Sequence, residues 1–423
     1  MERRVVITGM GIVAPNGVGL DAFTNAIKKG ISGIKHDAEL ERLQFSCQIS
    51  GTPEISEELK RNYFTELELR NFNSTGILYG VIAGIGAWND AGLPLDQNEN
   101  PDWDSGTIFG TGTSGIEKFR ESIYKIDNLE TRKLGSTAVA QTMNSGVSAY
   151  LGGKLGLGNQ VTTNSSACTT GTESILMGYE RIKLGHAKRM LVGSTSDSGP
   201  YIWGGFDAMK VCTFKHNETP EQGSRPMSAT ASGFVPGSGA GALLLEDLET
   251  ALTRGARIYA EVLGGNINSG GQRGLGTMTA PNPVAVKKCI TDAMVNARIT
   301  SNEIDAINGH LTATSKDSLE IQNWSEALNR KGNDFPYINS LKSLVGHCLS
   351  AAGSVESVAS VLQVYQGFVF PNINCADLNL DITNTIDATK IPQQLIEKDI
   401  TILAKASFGF GDVNGCVIFK KYN

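Results

Sequence analysis

A single thiol stands where a short strand is expected to pass into a helix. Cys168 lies among small residues in the segment from Thr163 to Gly171. The four residues from Gln160 to Thr163 read as a strand, and the apolar residues that follow recur at helical spacing, at Ile175, Leu176, Tyr179 and Ile182. In the first turn of a helix, unpaired N–H groups and the positive end of the helix dipole favour a thiolate. Cys168 is therefore a candidate nucleophile, although a free cysteine can equally be an inert core residue.

Two of the five histidines lie at strand-to-helix transitions. His310 follows a strand-like run in Asn308-Gly309-His310-Leu311-Thr312, and His347 ends the segment Lys342-Ser343-Leu344-Val345-Gly346-His347. Ligand sites in α/β folds occur at such transitions, so each histidine is either catalytic or a satisfied structural residue. The other three stand in polar surroundings and are predicted to lie on the surface: His36, His186 and His216.

One thiol and two imidazoles suit acyl transfer. A thiolate can attack a thioester, and neutral imidazole N–H groups can stabilise a developing oxyanion or enolate. The glycine-rich turn Ser407-Phe408-Gly409-Phe410-Gly411 follows a predicted strand and could add a backbone N–H to an oxyanion hole. A plain tight turn explains the same spacing, so the pattern alone does not decide between them.

The segment Gly9-Met10-Gly11-Ile12-Val13-Ala14 loosely matches a dinucleotide-binding pattern. Pro15-Asn16-Gly17 follows at once and would stop the helix whose N-terminus must hold the pyrophosphate. A nicotinamide enzyme is therefore disfavoured.

The composition is that of an ordinary globular protein. The chain has 423 residues, of which 40% are hydrophobic and 19% charged, with 49 glycines. This length allows one large core or two fused domains. The net charge of -6 argues against nucleic acid as a partner, because phosphate binding draws on clustered Lys and Arg.

The spacing of the cysteines and the length of the apolar segments indicate the cellular compartment. The seven cysteines are scattered and lack the close pairs of zinc sites, which predicts a reducing cytoplasm, no disulfides and no structural metal. The N-terminus runs from Met1 to Arg4 directly into a strand, without an apolar signal segment. No run approaches the ~18 apolar residues of a membrane span. We therefore expect a soluble, cytoplasmic protein.

Strand-like and helical runs alternate throughout, which favours an α/β fold with buried sheets. A strand, a small-residue turn and a buried helix occur around Cys168, and again from Tyr337 into Ala351-Ala352-Gly353. This correspondence predicts a duplicated unit, with halves spanning residues 1–252 and 253–423. The predicted strands are Arg4 to Thr8, Thr107 to Phe109, Gln160 to Thr163, Arg189 to Val192, Ala242 to Glu246, Ile258 to Leu263, Ala306 to Asn308, Tyr337 to Asn339, Thr401 to Ala404 and Cys416 to Phe419.

With these motifs in order, the sequence resembles the β-ketoacyl-[acyl-carrier-protein] synthases, in particular the type II elongating condensing enzymes. The resemblance covers nearly the whole chain. It implies the thiolase fold, an α/β architecture of two pseudo-repeated halves in five αβαβα layers, and a homodimer. The segments that carry it are residues 5–11, 166–171, 233–235, 254–261, 308–310, 342–347 and 407–411.

The resemblance also implies roles for individual residues. Cys168 would take the acyl chain from the phosphopantetheine of an acyl carrier protein, and no other cofactor or metal is expected. His310 and His347 would hold the malonyl thioester and promote its decarboxylation, with Lys342 and its ion-pair partner Glu356 organising the site. The backbone N–H groups of Cys168 and Phe408 would form the oxyanion hole. The implied substrate-binding residues are Thr312, Thr314, Phe408 (also a gating aromatic), Thr113 at the base of the acyl pocket, and Thr279.

Several positions depart from the family pattern. Leu311 replaces the glycine after the first histidine, and the loop from His310 to Asp317 is one residue shorter than usual. Ser, Ala and Pro replace charged residues between Arg225 and Gly239, and Asp412-Val413 replaces Gly-Thr. These changes remove no catalytic group and favour a specialised fatty-acid, polyene or polyketide-like pathway.

Two alternatives remain within the condensing enzymes: housekeeping fatty-acid elongation, and the catalytic subunit of a heterodimer with a chain-length-setting partner. A biosynthetic thiolase would need a second catalytic cysteine, and Cys416 does not lie in such a motif. A non-catalytic partner subunit usually lacks the nucleophile, which is present here. The docking charges for an acidic carrier could be Arg61, Arg70, Lys210 and Lys215, although ordinary solvated side chains explain them equally.

Overall fold

Strands and helices alternate along the chain, and this computed structural model describes them for residues 3–70, 72–95 and 99–423. The strands are β1 (Val5–Ala14), β2 (Gly17–Val18), β3 (Ile34–His36), β4 (Ile49–Gly51), β5 (Ser105–Thr111), β6 (Val161–Thr162), β7 (Arg189–Ser196), β8 (Gly239–Asp247), β9 (Ala260–Ser269), β10 (Ala306–Asn308), β11 (Tyr337–Asn339), β12 (Phe368–Val369), β13 (Ile396–Glu397), β14 (Ile402–Gly409) and β15 (Val413–Lys420).

The α-helices are α1 (Leu20–Lys29), α2 (Ala38–Arg42), α3 (Glu57–Arg61), α4 (Glu66–Leu69), α5 (Thr75–Asp90), α6 (Ile116–Asp127), α7 (Ala138–Thr142), α8 (Gly146–Leu155), α9 (Thr170–Lys183), α10 (Pro200–Ala208), α11 (Leu248–Thr253), α12 (Pro283–Ala297), α13 (Asp317–Leu328), α14 (Lys342–Val345), α15 (Ala352–Gln366) and α16 (Leu380–Thr383). Two short 3₁₀ turns lead directly into buried helices: Ala167–Thr169 precedes α9, and Leu349–Ala351 precedes α15.

The main sheet contains the same five-stranded pattern twice. Its order is β11-β10-β14-β15-β9-β1-β8-β7-β5-β6, with β2 attached to β1. Counted outward from the centre, each half has two antiparallel pairings followed by two parallel pairings. The halves join where Val5–Ile7 of β1 pairs with Ala260–Val262 of β9. The duplication predicted from the sequence is therefore confirmed.

Helices α9 and α15 form the layer between the two halves of the sheet. Each of them packs against strands of both halves and against the other. On the outer faces, α5 and α8 cover the N-terminal strands, while α12 covers the C-terminal strands with α13 beside it. This gives the five layers of the thiolase fold.

The two central helices cross through glycine. A Cβ on Gly171 of α9 would lie 2.2 Å from the backbone nitrogen of Ser354, and one on Gly353 of α15 would lie 2.6 Å from that of Thr172. No side chain fits between backbones at these distances. Helix α15 is buried around almost its whole circumference, as expected of a helix enclosed by two sheets.

All ten predicted strands are present, and β10 and β11 have the predicted ends. The short pairs β3–β4 and β12–β13 were not predicted. The boundary between residues 252 and 253 stays a prediction. Among the described residues, no helix has the length and apolar character that a membrane crossing requires.

Candidate active site

Cys168 lies in the 3₁₀ turn that leads into α9, one short turn ahead of the predicted position in the α-helix. The turn begins at Ala167, whose φ of 50° is in the left-handed region that non-glycine residues rarely adopt. The Thr170 hydroxyl accepts from the Ser166 N–H at 2.9 Å and donates to the Ala167 carbonyl at 2.7 Å. These bonds hold the strained turn, which leaves Cys168 partly accessible while its neighbour Thr169 is buried.

The thiol is protonated in the resting site. Burial raises the pKa of the Cys168 thiol to about 11, against the opposing effects of the Lys342 charge and a hydrogen bond from the Phe410 backbone N–H. The Glu356 carboxylate raises it further. The expectation that a helix N-terminus favours the thiolate is therefore wrong, because loss of hydration outweighs the nearby positive charge.

The two predicted histidines meet at the sulfur. His310 follows β10, and His347 follows α14 by two residues. Their rings lie 5.4 Å apart between centroids and at 83° to each other. The Cys168 sulfur and one nitrogen of each imidazole all lie within 4.8 Å of one another.

In each imidazole, Nδ1 faces a hydrogen-bond donor. The backbone N–H of Leu349 donates to Nδ1 of His347 at 3.1 Å, and the Lys342 ammonium lies 3.4 Å from Nδ1 of His310. Because an ammonium group can only donate, we assign Nδ1 as the acceptor and Nε2–H as the donor in both rings. Burial, with the charge of Lys342, holds the pKa of both histidines well below its ordinary value, so both rings are neutral at pH 7. The site thus presents two neutral N–H donors beside a thiol.

These three side chains also fit the general distances of a metal site. Among the described residues they are the one group of three His, Cys, Asp or Glu side chains close enough to share an ion. Both Nδ1 atoms accept hydrogen bonds, which leaves protonated Nε2 atoms that donate and cannot bind a cation. The donor set therefore fits acyl chemistry better than metal binding.

Behind His310 lies a buried cluster of charges. Lys342 forms an ion pair with one oxygen of Glu356, as the family resemblance implies. A second lysine, Lys405 of β14, lies 2.8 Å from the other oxygen of Glu356. The sequence analysis missed Lys405, although a lysine inside the apolar run of β14 was a visible signal.

Two buried carboxylates hold the loop after His310. Glu320 accepts from the backbone N–H groups of His310 and Leu311, each at 2.7 Å, and Asp317 accepts from those of Thr312 and Ala313. Burial raises the pKa of Glu320 to about 7 and that of Asp317 to about 6. Leu311 and Ala313 have positive φ angles of 22° and 61°. The shortened loop is therefore strained and fixed from α13, a long-range contact that the sequence analysis did not find.

Two cavities meet at Cys168, and they share four lining residues: Cys168, Phe206, Leu349 and Phe410. Each has a volume of about 390 Å³. The first contains both histidines and the expected substrate-binding residues Thr279, Thr312, Thr314 and Phe408. The second contains Thr113. The sulfur therefore lies between one cavity that leads past the imidazoles and another that leads to Thr113.

The structure differs from the expectation at the second oxyanion-hole donor. Phe408 lies within β14 opposite Asn414, whereas the backbone N–H that bonds to the sulfur belongs to Phe410, just after the strand ends. Gly409 makes this approach possible, because a Cβ there would lie 3.1 Å from the Cys168 nitrogen. Phe410 also lines both cavities, whereas Phe408 lines only the first. The ring centroid of Phe408 instead lies 6.2 Å from that of His310.

The chain matches one family of known proteins over most of its length. Residues 2–251 match the N-terminal domain of β-ketoacyl synthases, and residues 259–376 match the C-terminal domain. It is 32% identical to 3-oxoacyl-[acyl-carrier-protein] synthase 2 of Vibrio harveyi over 424 residues, which covers 99% of each chain. It is also 32% identical to 3-oxoacyl-[acyl-carrier-protein] synthase 1 of Haemophilus influenzae, over the whole of both chains.

Solved structures agree with this match. A type II PKS ketosynthase in complex with its acyl-carrier protein superposes with a TM-score of 0.86 at 27% identity, and the ishigamide ketosynthase/chain length factor with a TM-score of 0.88 at 25% identity. Both alignments cover all of this chain and of the other. By sequence, fold and the meeting of thiol and imidazoles, the chain belongs to the β-ketoacyl synthase family.

Proposed function

We propose that this protein is a 3-oxoacyl-[acyl-carrier-protein] synthase that carries its acyl chain on Cys168 and condenses it with a malonyl unit. The observation that supports this most directly is the sulfur within 4.8 Å of two imidazole nitrogens, at the meeting point of two cavities. A covalent nucleophile and a pair of neutral donors are what a two-step acyl transfer requires.

In the first step the Cys168 sulfur attacks the carbonyl of an acyl thioester. The developing oxyanion accepts from the backbone N–H groups of Cys168 and Phe410, and collapse of the intermediate expels the carrier thiolate. The proton lost by Cys168 ends on the carrier thiol, so the exchange is balanced. Because the thiol has a raised pKa, the proton leaves only as the attack proceeds.

In the second step a malonyl thioester occupies the cavity that contains the histidines. Its carboxylate leaves as carbon dioxide, and the Nε2–H groups of His310 and His347 donate to the enolate oxygen that forms. The enolate carbon attacks the acyl thioester on Cys168, which releases a 3-oxoacyl thioester and returns the sulfur as a thiolate that takes up one proton. Lys342 keeps Nδ1 of His310 an acceptor and thereby keeps its Nε2 protonated.

The substrates are delivered as phosphopantetheine thioesters of an acyl carrier protein, the partner named in one structural relative. Thr312 and Thr314, whose hydroxyls lie 3.1 Å apart, and Thr279 would contact the arm in the first cavity, and Thr113 would limit the acyl chain in the second. Lys210 and Lys215 are exposed on the segment that follows α10, close to the cavity residue Val211. They suit an acidic carrier better than Arg61, which already pairs with Glu66. Arg70 is exposed, and its docking role stays a prediction.

The protein would act as a dimer. Helix α6 and the segment after it expose several large apolar side chains, which is typical of a protein interface: Phe119, Ile123, Tyr124, Ile126 and Leu129. A homodimer is the expected state, and a heterodimer with a chain-length-setting subunit is the alternative, since one structural relative is a ketosynthase/chain length factor. The cytoplasmic location expected from the sequence stays a prediction.

An intact-mass experiment tests the nucleophile. Incubation with an acyl thioester should add one acyl group to the wild type and none to Cys168→Ala. An adduct retained in the variant would refute the assignment. A matched control is Cys375→Ala, which removes a buried thiol that lines neither cavity and should leave the adduct intact.

The histidines are tested separately. His310→Ala and His347→Ala should still accept an acyl group but lose decarboxylation of malonyl carrier protein, because they serve the enolate and not the thiol. Release of labelled carbon dioxide at the wild-type rate in both variants would contradict this role. Acyl carriers of graded length and unsaturation, offered with malonyl carrier, would distinguish a specialised pathway from housekeeping elongation by the products formed.

A further inference from the structure

One buried charge has no part in the mechanism described above. Lys405 occupies β14, pairs in register with Asn308 of β10 and Val417 of β15, and has a side chain with no solvent exposure. Moving an ammonium group out of water is costly, so a lysine at such a position must be compensated or used.

The ammonium of Lys405 is enclosed by oxygen atoms. It donates to the Ala406 carbonyl at 2.6 Å and to the Ser407 hydroxyl, and it lies 2.8 Å from Oε2 of Glu356. The Ser407 hydroxyl in turn bonds to that of Thr172 at 2.9 Å, on the helix that follows the Cys168 turn. Lys405 therefore links the charge cluster behind His310 to the helix behind the nucleophile.

The cluster carries an excess of positive charge. Glu356 is one carboxylate between two ammonium groups, Lys342 on Oε1 and Lys405 on Oε2. A carboxylate paired with Lys342 alone would cancel its charge. Because Lys405 shares that carboxylate, a net positive charge remains beside Nδ1 of His310, which is 3.4 Å from the Lys342 ammonium.

We propose that Lys405 is a positioning residue for decarboxylation, an internal counter-ion of Glu356 that leaves the positive charge of Lys342 uncancelled toward His310 and so keeps His310 a neutral Nε2–H donor. Lys405 touches no substrate cavity and acts only through Glu356 and Lys342. The inference rests on the proposed function of the site.

The groups that determine the titration of His310 come from several elements. Burial lowers the pKa of His310 most, and Lys342, His347 and Lys405 lower it further. Glu320 accepts the backbone N–H of His310, and burial raises the pKa of this carboxyl to about 7. The charged and titratable neighbours are Lys342 on α14, Lys405 on β14, Glu356 on α15, Glu320 on α13, His347 and Cys168. Cys416 on β15 is a further titratable neighbour of Lys405.

The test compares the pH profile of carbon dioxide release from malonyl carrier protein in Lys405→Met and in the wild type. Loss of one positive charge should raise the pKa of His310 toward its ordinary value of about 6.5. The acid limb of the profile should therefore move to higher pH, while burial and the Lys342 charge still hold that pKa below the ordinary value. We expect the variant to lose up to about fourfold in rate at about pH 6 and to match the wild type at about pH 8. The KM for malonyl carrier should stay within a factor of about two.

A charge-restoring variant separates electrostatics from packing. In Lys405→Met/Glu356→Gln the charge of Lys342 is again uncompensated. The acid limb should therefore move back to lower pH, and the pH profile should regain the wild-type shape. In Lys405→Ala, propylammonium should restore rate at about pH 6, whereas tetramethylammonium, which has no N–H donor, should not.

An unchanged pH profile in Lys405→Met, or an acid limb that persists in the double variant, would overturn the inference. Failure of both variants to fold would also overturn it, because Lys405 would then be required for stability alone. Formation of the acyl adduct on Cys168 is measured in parallel. If the wild type itself forms no adduct and releases no carbon dioxide, the proposed function fails, and not the role of Lys405.

Discussion

Two turns occupy equivalent places in the two halves of the molecule and serve different purposes. In each, a non-glycine residue with a φ of 50° begins a 3₁₀ turn that leads into a central helix: Ala167 before α9 and Leu349 before α15. The N-terminal turn presents the Cys168 sulfur to two cavities. The C-terminal turn is buried, and the backbone N–H of its first residue fixes the tautomer of His347.

The second residue of each turn shows the difference most clearly. Cys168 in one half corresponds to Ser350 in the other, whose hydroxyl donates to the Thr195 carbonyl at 2.7 Å. The same strained backbone thus exposes a reactive atom in one half and orients a reactive ring in the other. Strain at a duplicated turn is therefore a property of the fold, and the chemistry depends on which atom the turn directs at the site.

Relocation of the thiol should have the largest effect. In Cys168→Ser/Ser350→Cys the thiol replaces a hydroxyl that bonds to the Thr195 carbonyl, on the wall of the second cavity and outside the first cavity, which holds both histidines. Condensation should therefore fall by about 10³-fold or more. Product formation and the position of any acyl group, located by peptide mass spectrometry, give the answer. Ser350→Cys alone should still be acylated at Cys168. An acyl group found at position 350 in the double variant would show that the two turns are interchangeable.

A methyl group at the helix crossing should have the next largest effect. Gly171→Ala places a Cβ 2.2 Å from the Ser354 nitrogen, and Gly353→Ala places one 2.6 Å from the Thr172 nitrogen. Since backbone must move, each should lower the free energy of unfolding by about 3 kcal/mol, measured by denaturant titration. In the control Gly153→Ala, on α8, the new methyl group meets no atom within 4 Å. That variant should be as stable as the wild type or more stable. Equal losses of unfolding free energy in all three variants would contradict the close backbone contact at the helix crossing.

Relief of strain in the nucleophile's turn should have a smaller effect. Ala167→Gly removes the steric strain of an alanine in the left-handed region but adds conformational entropy to the unfolded chain. The relief of strain should be the larger effect, so the free energy of unfolding should rise by up to about 1 kcal/mol. The control Ala149→Gly, at an exposed position in α8, should lose about 0.5–1 kcal/mol. Thermal unfolding measures both changes in stability, which should have opposite signs. A loss of equal size in both variants would mean that the turn holds no strain.

The two turns should also differ in their response to pH. The pKa of the Cys168 thiol is about 11, so its alkylation by iodoacetamide should continue to rise up to about pH 10 without a plateau. The pKa of both histidines lies well below 6.5, and they become charged only below that value. Wild-type decarboxylation should therefore change less than about twofold between about pH 7.5 and 6.5. A plateau of alkylation near neutral pH would contradict the raised thiol pKa.

The sequence alone predicted much of the site because its main residues lie in short connections that local patterns reveal. Cys168 and His310 each follow a strand, and His347 lies between the short helix α14 and the turn that leads into α15. The backbone N–H that bonds to the Cys168 sulfur belongs to Phe410, two residues beyond the predicted donor Phe408. Side chains alternate along a strand, and spacing does not indicate where β14 ends. Phe408 lies inside the strand, while Phe410 lies beyond it.

Other features depend on contacts that no local pattern contains. Glu320 and Asp317 support the His310 loop from the next helix, and the Lys405 ion pair joins a strand to a helix about fifty residues earlier. The thiol pKa was misjudged for the same reason. The helix dipole is a local effect that the sequence pattern indicates. The burial that raises the thiol pKa arises instead from the packing of both halves around the sulfur.

The protonated resting state of Cys168 has a consequence for survival of the enzyme between turnovers. Because burial raises the pKa of this thiol to about 11, Cys168 is almost entirely a thiol at pH 7. Peroxides oxidise thiolates far faster than thiols, so an idle synthase offers them little to attack. The nucleophile is thereby protected from irreversible oxidation until a carrier arrives with its cargo.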